Sequence, residues 1–294
     1  MDVAMLLTAE LAMLGHAAAA IVLGWLYFGR FALARPPIGI FSLADVGFLL
    51  GGIVVVPMLY LVLPLWLVAG LLALGALSTL QLAGEPLLPG HQALWAGVLG
   101  FGVAEIVAFL MAGPLSAPFF LVNNVLVVMV AVAIANLWAQ SGMKARDAAV
   151  LGAALTIYDF VATARLALMG DLFTRVAELP FSPLVAWPAG PDGQWLGLGL
   201  GDLLLATVFP VVLRKAYGLP AGLAALALGL GAVVGVVALA HLTAISIFPV
   251  MVALGPLMLL QYICWTRLRG PERTTWQYRQ ADASRQHQVS LTVV

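Results

Sequence analysis

Two aspartates, Asp159 and Asp202, lie inside long apolar stretches of the sequence. An ionised carboxylate at the centre of a bilayer costs about 2.5–3.5 kcal/mol on insertion scales, so such residues are candidates for function. Two carboxyls within hydrogen-bonding distance cannot both ionise, and they therefore share a proton. One can act as a general base on a water molecule while the other donates a proton to a carbonyl oxygen. This chemistry suits peptide hydrolysis without a metal ion or a covalent intermediate.

Two further acids lie in apolar segments, and they are less informative. Glu10 shares the first segment with His16, and we expect a protonated or snorkelling carboxyl and a hydrogen-bonded imidazole there. For Glu105 we expect a structural role, in which it lines a polar cavity or hydrogen-bonds to a neighbouring helix, with a proton relay as the alternative. The chain has one cysteine, Cys264, no His-Glu-x-x-His zinc motif and no evident serine–histidine pair. The sequence therefore predicts neither a metal site nor a cofactor.

The composition around these acids is typical of a membrane protein. Hydrophobic residues make up 63% of the 294 residues and charged residues 9%, against roughly 25% charged residues in soluble domains. A span needs about 20 mostly apolar residues, and Pro64 divides one stretch that is too long for a single helix. The sequence thus predicts nine transmembrane helices, at approximately 4–27, 44–62, 64–83, 92–113, 117–139, 147–169, 195–214, 219–241 and 244–266.

We therefore expect an all-α polytopic protein with a membrane domain over 1–269 and a flexible polar tail over 270–294. The two aspartates are predicted to lie at similar depth. Asp159 is roughly 15 Å and Asp202 roughly 11 Å from the same edge by helical rise. Consecutive spans run antiparallel and usually pack as neighbours, so the two carboxyls can meet. The connection between them, 170–194, contains four prolines and is expected to be partly ordered at most.

Three alternating glycines, Gly197, Gly199 and Gly201, lead into Asp202. Glycine weakens a helix and lets another backbone approach closely. A substrate helix must unwind before its peptide bond can be attacked. A flexible strip beside a catalytic acid could offer backbone hydrogen bonds to such an extended chain. Close packing between small residues of neighbouring helices is the alternative explanation.

The distribution of basic residues predicts the orientation. Lys and Arg total 13, and an N-terminus outside the cytoplasm places eleven of them on the cytoplasmic side, leaving Arg165 and Arg175 outside. The sequence therefore predicts an outside N-terminus, a cytoplasmic C-terminus and aspartates in the outer part of the membrane. The net charge is zero, and the basic residues form no patch, so nucleic acid is not expected as a partner.

Three motifs together resemble the presenilin and signal peptide peptidase family of GxGD intramembrane aspartyl proteases. They are Tyr158-Asp159, the sequence Gly199-Leu200-Gly201-Asp202 and a proline motif at 249–251 in the last predicted helix. The resemblance covers about 117–260 and is closer to signal peptide peptidase in orientation and in Asn123-Asn124. It implies a nine-helix presenilin-like fold with Asp159 and Asp202 as the catalytic pair. It also implies a substrate cleft shaped by Tyr158, Gly199, Leu200, Gly201, Pro249, Val250 and Met251.

The last motif departs from the family. Its Pro-Ala-Leu sequence corresponds to Pro249-Val250-Met251 here, and the larger side chains could change substrate preference or silence the protein. The resemblance implies an endopeptidase that cuts signal-peptide-like or type II membrane segments in the bilayer without an obligatory accessory subunit. The sequence leaves the oligomeric state open. The alternatives are a proton- or cation-coupled transporter or channel that uses the same acids, and a catalytically inactive relative.

Overall fold

The computed structural model describes residues 3–33, 41–88, 90–164, 168–190, 194–243 and 250–280. Long helices dominate these ranges, and a two-stranded antiparallel sheet of β1 and β2 interrupts them. In chain order the elements are α1 (Val3–Arg30), α2 (Leu43–Val62), α3 (Leu65–Gly84), α4 (His91–Ala112), α5 (Ala117–Gln140), α6 (Ala145–Ala164), α7 (Leu168–Ala177), β1 (Leu184–Pro188), β2 (Trp195–Gly199), α8 (Leu200–Tyr217), α9 (Leu219–Thr243) and α10 (Val250–Arg269).

Among the described residues, seven helices are long and apolar enough to cross a membrane, namely α1 to α5, α9 and α10. The protein is therefore a multi-pass integral membrane protein. The predicted break at Pro64 is confirmed, since α2 ends at Val62 and Pro64 caps the start of α3. The aspartate helices α6 and α8 are not among these seven. Each carries three charged residues, which are Arg146, Asp147 and Asp159 in α6 and Asp202, Arg214 and Lys215 in α8.

The core of the protein surrounds α5 and α8. In α8, 14 of the 18 residues are buried, and the helix packs against α1, α5, α6 and α9. The most extensive packing of α6 is against α10. By contrast, α2 contributes one buried residue, Val46, and packs only marginally against α6 and α7. The two aspartate helices therefore differ in their packing, because α8 lies in the core among four helices and α6 packs mainly against α10.

The connection predicted over 170–194 to be partly ordered at most is instead largely folded. It contains α7 and the first strand of the β-hairpin, in which Leu184 pairs with Gly199 and Pro188 with Trp195. The predicted helix over 195–214 is also wrong at its start, because α8 begins at Leu200. Leucine alternates with glycine over 196–199, and this period of two suits a strand, whereas glycine is costly inside a helix.

The predicted flexible tail over 270–294 is wrong for its first part. Gly270, at φ +78°, ends α10, and residues 275–280 form a further helical turn. The Thr274 hydroxyl and the Gln277 side chain cap this turn, since Gln277 N donates to Thr274 Oγ1 at 3.2 Å and Thr274 N donates to Gln277 Oε1 at 2.8 Å. Residues 281–294 lie outside the described part of the chain.

Candidate active site

Asp159 and Asp202 lie on neighbouring antiparallel helices, close enough for their carboxyls to interact electrostatically. Asp159 is five residues before the end of α6, and Asp202 is the third residue of α8. Asp159 thus lies toward one end of α6 and Asp202 toward the adjoining end of α8, and their depth in the bilayer stays a prediction.

The start of α8 places Asp202 where a carboxylate is favoured. Gly199 is the N-cap residue, so Asp202 stands in the first turn, near backbone N–H groups that carry partial positive charge. A Cβ on Gly199 would lie 3.7 Å from Asp202 Oδ2 and 3.5 Å from Phe173 Cζ of α7. A side chain at Gly199 would therefore fill the space between the carboxyl and α7.

The β-hairpin is anchored to α5 by two asparagines that sequence reasoning linked only to the family resemblance. Asn124 pairs reciprocally with Ala186, donating to its oxygen and accepting from its nitrogen at 2.9 Å each. Asn123 Nδ2 donates to the carbonyl oxygens of Ser182 at 3.1 Å and Leu184 at 2.9 Å. Side-chain amides thus take the place of a neighbouring strand along the outer edge of β1.

The hydrogen bonds to α5 also show which backbone groups point to the opposite edge of the sheet. In an antiparallel strand the backbone N–H and C=O groups of successive residues point alternately to its two sides. Ala186 bonds to α5, so its neighbours Val185 and Trp187 bond to β2, where their partners are Leu198 and Leu196. The intervening Gly197 and Gly199 direct their backbone groups to the other edge of β2. That edge has no partner strand in the described sheet.

Tyr158 precedes Asp159, is half-buried and interacts electrostatically with it. Its hydroxyl is buried and has no hydrogen-bond partner among the described residues. Leu200 and Gly201, the other predicted cleft residues, form the first turn of α8. Tyr158 therefore brings an unsatisfied polar group to the aspartate end of α6.

Of the proline motif, Pro249 lies outside the described residues. Val250 and Met251 open α10 and are buried, with exposed fractions of 5% and 2%. The Met251 carbonyl oxygen accepts a hydrogen bond at 2.9 Å from Thr156 Oγ1, about one turn before Asp159. This places the motif residues in the seam between α6 and α10. The predicted contact with substrate remains a prediction.

The seam is close because glycine occupies the crossing point on both helices. A Cβ added to Gly255 would overlap with Thr156 Oγ1 and with the carbonyl oxygen of Gly152. A Cβ added to Gly152 would lie 3.0 Å from Met258 Sδ. Small residues that bring helix backbones together are a common packing device in membranes. The position of Asp159 therefore depends on a backbone contact between α6 and α10.

The remaining acids have structural partners. Glu105 is fully buried, and its Oε1 accepts from Phe181 N at 3.1 Å, in the turn before β1. Glu105 therefore has a structural partner, and this partner is a loop residue and not a neighbouring helix. Glu10 lies 3.0 Å from His241 Nδ1 of α9, a partner that the sequence did not reveal. His16 Nδ1 forms the predicted hydrogen bond, at 2.7 Å to the Ala12 carbonyl.

Within the described residues, no group of three or more His, Cys, Asp or Glu side chains is arranged to hold a metal ion.

The site and the helices around it define a class of fold, a polytopic membrane bundle with two aspartates on adjacent antiparallel helices. No protein-family model matches the chain, and no curated protein matches it. A solved structure of a presenilin family intramembrane aspartate protease is similar to it, with a TM-score of 0.52 and 19% sequence identity. The match covers 88% of this chain and 96% of that one. The resemblance inferred from the sequence motifs is thus confirmed at the level of the fold.

Proposed function

We propose that the protein is an intramembrane aspartyl endopeptidase in which Asp159 and Asp202 form the catalytic pair. The observation that carries the proposal is the placement of these two carboxyls at the adjoining ends of the packed helices α6 and α8, within electrostatic range of each other. The presenilin-like fold supports it, because the similar structure is a protease of this kind.

The chemistry follows from the shared proton of the pair. The ionised aspartate takes a proton from a water molecule, and the protonated one donates its proton to the oxygen of the scissile carbonyl. The water oxygen bonds to the carbonyl carbon, and the C–N bond then breaks as the amine leaves with a proton. Tyr158 lies beside Asp159 with an unsatisfied hydroxyl, which can bind the substrate backbone.

The substrate is proposed to be a transmembrane helix that unwinds at the cleavage site, such as a signal-peptide-like or type II segment. The open edge of β2 supports this, because Gly197 and Gly199 offer backbone groups to an extended chain. The edge continues directly into the turn that carries Asp202. A strand that paired there would pass beside the carboxyl. Val250 and Met251, with Pro249, would border the same cleft.

The membrane topology is proposed to comprise nine crossings, with α6 and α8 added to the seven span-length helices. The excess of Lys and Arg on alternate connections favours an outside N-terminus and a cytoplasmic C-terminus. In that orientation α6 ends and α8 begins near the outer face, so cleavage takes place in the outer part of the bilayer. No accessory subunit is required by this arrangement.

The test is cleavage of a transmembrane reporter peptide by the purified protein in lipid vesicles. We expect cleavage by the wild type and none by Asp159→Ala or Asp202→Ala, with all three proteins folded. Glu10→Ala is the matched control, an intramembrane acid far from the pair in sequence that should leave cleavage in place. Cleavage by either aspartate variant would overturn the proposal. Aspartate-dependent ion flux without proteolysis would support a transporter instead.

A further inference from the structure

The ten residues after α10 cross the ends of several helices. Arg273 N and Nε both donate to the carbonyl oxygen of Ala216, at 3.2 Å each. Farther along, the Tyr278 ring packs against Phe28 of α1 with centroids 5.4 Å apart. The segment 271–280 is thus a strap fixed across the end of the bundle opposite the aspartates.

Glu272 in the strap caps the N-terminus of α6. Its Oε2 accepts a hydrogen bond from Ala145 N at 2.7 Å, and Ala145 is the first residue of that helix. A carboxylate there satisfies an otherwise unpaired N–H group and faces the positive end of the helix dipole. Asp147 also contributes, since its Oδ2 accepts from Lys144 N at 3.1 Å.

The next residue, Arg273, caps the C-terminus of α8. Besides its two bonds to Ala216, its guanidinium donates to the carbonyl oxygen of Arg214 at 3.4 Å. A cation there satisfies terminal carbonyls and faces the negative end of the dipole. Two adjacent residues of one strap therefore bind opposite ends of the two antiparallel helices that carry the aspartates.

The two helical arms from this clamp to the active site have the same length. Ala145 lies 14 residues before Asp159 on α6, and Ala216 lies 14 residues after Asp202 on α8. Each arm is roughly 21 Å long at 1.5 Å per residue. Helices resist changes of length, so fixing their far ends side by side brings the two aspartates to the same level.

We propose that Glu272 and Arg273 are positioning residues that set the axial register of α6 against α8 and so hold Asp159 level with Asp202. The geometric part of this proposal is independent of the activity, whereas its consequence for cleavage rests on the proposed function. The axial register is the relative position of the two helices along their axes, and it changes when one helix slides past the other. A small shift of this kind misplaces a catalytic group, which has a large effect on the rate.

The strap is itself held firmly enough to act as a reference. Lys215 of α8 is buried, and its ammonium donates to Thr275 Oγ1 at 3.1 Å and to the Ala139 carbonyl at the end of α5 at 2.7 Å. Tyr217 Oη and Thr266 Oγ1 lie 2.7 Å apart and join α8 to α10 at the same end. The clamp therefore connects α6 to a strap that α5, α8 and α10 already fix.

The experiment measures register without relying on cleavage. Cys264 is the only cysteine and is exposed, so Cys264→Ser gives a cysteine-free chain. Asp159→Cys and Asp202→Cys are added, and the rate of cross-linking by a short bifunctional thiol reagent is measured in vesicles. We expect cross-linking to slow several-fold with Glu272→Ala, with Arg273→Ala and with both. One fixed helix end alone cannot set the register, so each single substitution should slow cross-linking nearly as much as the double substitution does.

The kinetic counterpart uses the intact aspartates. Glu272→Ala and Arg273→Ala should each lower kcat about 10–100-fold with little change in KM. Glu272→Gln keeps an oxygen acceptor for Ala145 N and should restore most of the rate, which loss of stability alone would not explain. Arg269→Ala is the matched control, because Arg269 is exposed and no hydrogen bond of its side chain is seen within the described residues.

Wild-type cross-linking in both alanine variants would overturn the proposal, as would slow cleavage with unchanged cross-linking. If an alanine variant fails to fold, Glu272→Gln and Arg273→Lys are compared instead. Arg273→Lys should slow cross-linking more, because an ammonium cannot reproduce the guanidinium contacts to both the Ala216 and the Arg214 carbonyl. Equal rates for these two variants and the wild type would then contradict the clamp. Slowed cross-linking by the clamp variants, together with no peptide cleavage by the wild type, would leave the clamp standing and reject the proposed function.

Discussion

The two aspartate helices present opposite structural situations. α8 lies in the core with 14 of its 18 residues buried, and an anchored hairpin leads into its first turn. α6 lies at the periphery, where the large side chains near Asp159 are exposed at the protein surface. Their exposed fractions are 69% for Ile157, 52% for Phe160 and 41% for Val161.

This difference indicates how the pair of carboxyls is assembled. Asp202 belongs to a part of the fold whose position is set by extensive packing. Asp159 belongs to a helix that packs mainly along one seam, against α10, and specific contacts set its position there. These contacts are the Gly152–Gly255 crossing, the Thr156 hydrogen bond to Met251 and the Glu272 cap. We therefore expect changes in α8 to act on stability and changes in the contacts of α6 to act on catalysis.

The largest expected effect comes from the α6–α10 seam. Gly255→Ala places a methyl group against the Gly152 carbonyl, and a backbone atom cannot move aside as a flexible side chain can. We expect kcat to fall by about 10²-fold or more, because displacing α6 by about 1 Å misplaces Asp159. Gly235→Ala in α9 is the matched control, because a Cβ there meets nothing within 4 Å. Equal activity of the two variants would show that the seam does not position the aspartate.

A smaller effect is expected on the free energy of unfolding, which should respond differently to substitutions in α8 and in α6. Leu205 in α8 is 1% exposed, and Leu205→Ala should destabilise the protein by about 1–3 kcal/mol through the cavity it leaves. Ile157→Ala in α6 should stay within about 0.5 kcal/mol because that side chain is exposed. Unfolding midpoints in the same detergent provide the comparison. A larger loss for Ile157→Ala would reverse the assignment of core and periphery.

The smallest effect concerns the pH dependence of the Glu272 cap. Burial raises the pKa of the Glu272 carboxyl, with Asp147 adding to the rise, and the Ala145 N–H and Lys144 opposing it only in part. A native pKa above the unfolded value means that the carboxyl stabilises the fold at low pH and loses this contribution as pH rises through the native pKa. The Tm of the wild type relative to that of Glu272→Gln should therefore fall as pH rises above about 4, the ordinary range of a glutamate. A Tm of the wild type that rises with pH relative to that of Glu272→Gln would contradict this prediction.

The sequence located the two aspartates better than it located the elements that support them. Asp159 and Asp202 were evident because a carboxyl in an apolar segment is costly, and the antiparallel order of successive spans predicted their proximity. The strand over 195–199 was missed although its alternation of leucine with glycine was visible. A long apolar run continues after it, so a helix that started early was the simpler interpretation.

The contacts that hold the site could not be read from local sequence. Glu272 and Arg273 lie in a polar tail of a composition typical of disorder, and their partners are more than fifty residues away. The same holds for Glu10, whose partner His241 is on α9. Local patterns report periodicity and polarity, whereas such contacts depend on which helix ends meet in three dimensions. Pro249 lies outside the described residues, so the prediction for its motif stands on Val250 and Met251.

The central claim is that Asp159 and Asp202 share a proton and activate water together. The pH dependence of kcat/KM for cleavage of a transmembrane peptide in vesicles tests it most directly. A coupled pair predicts a bell-shaped profile with two apparent pKa values, and Asp159→Asn or Asp202→Asn should remove cleavage at every pH. A pH profile with a single ionisation would contradict the account. So would cleavage by either asparagine variant with a pH dependence set by its one remaining carboxyl.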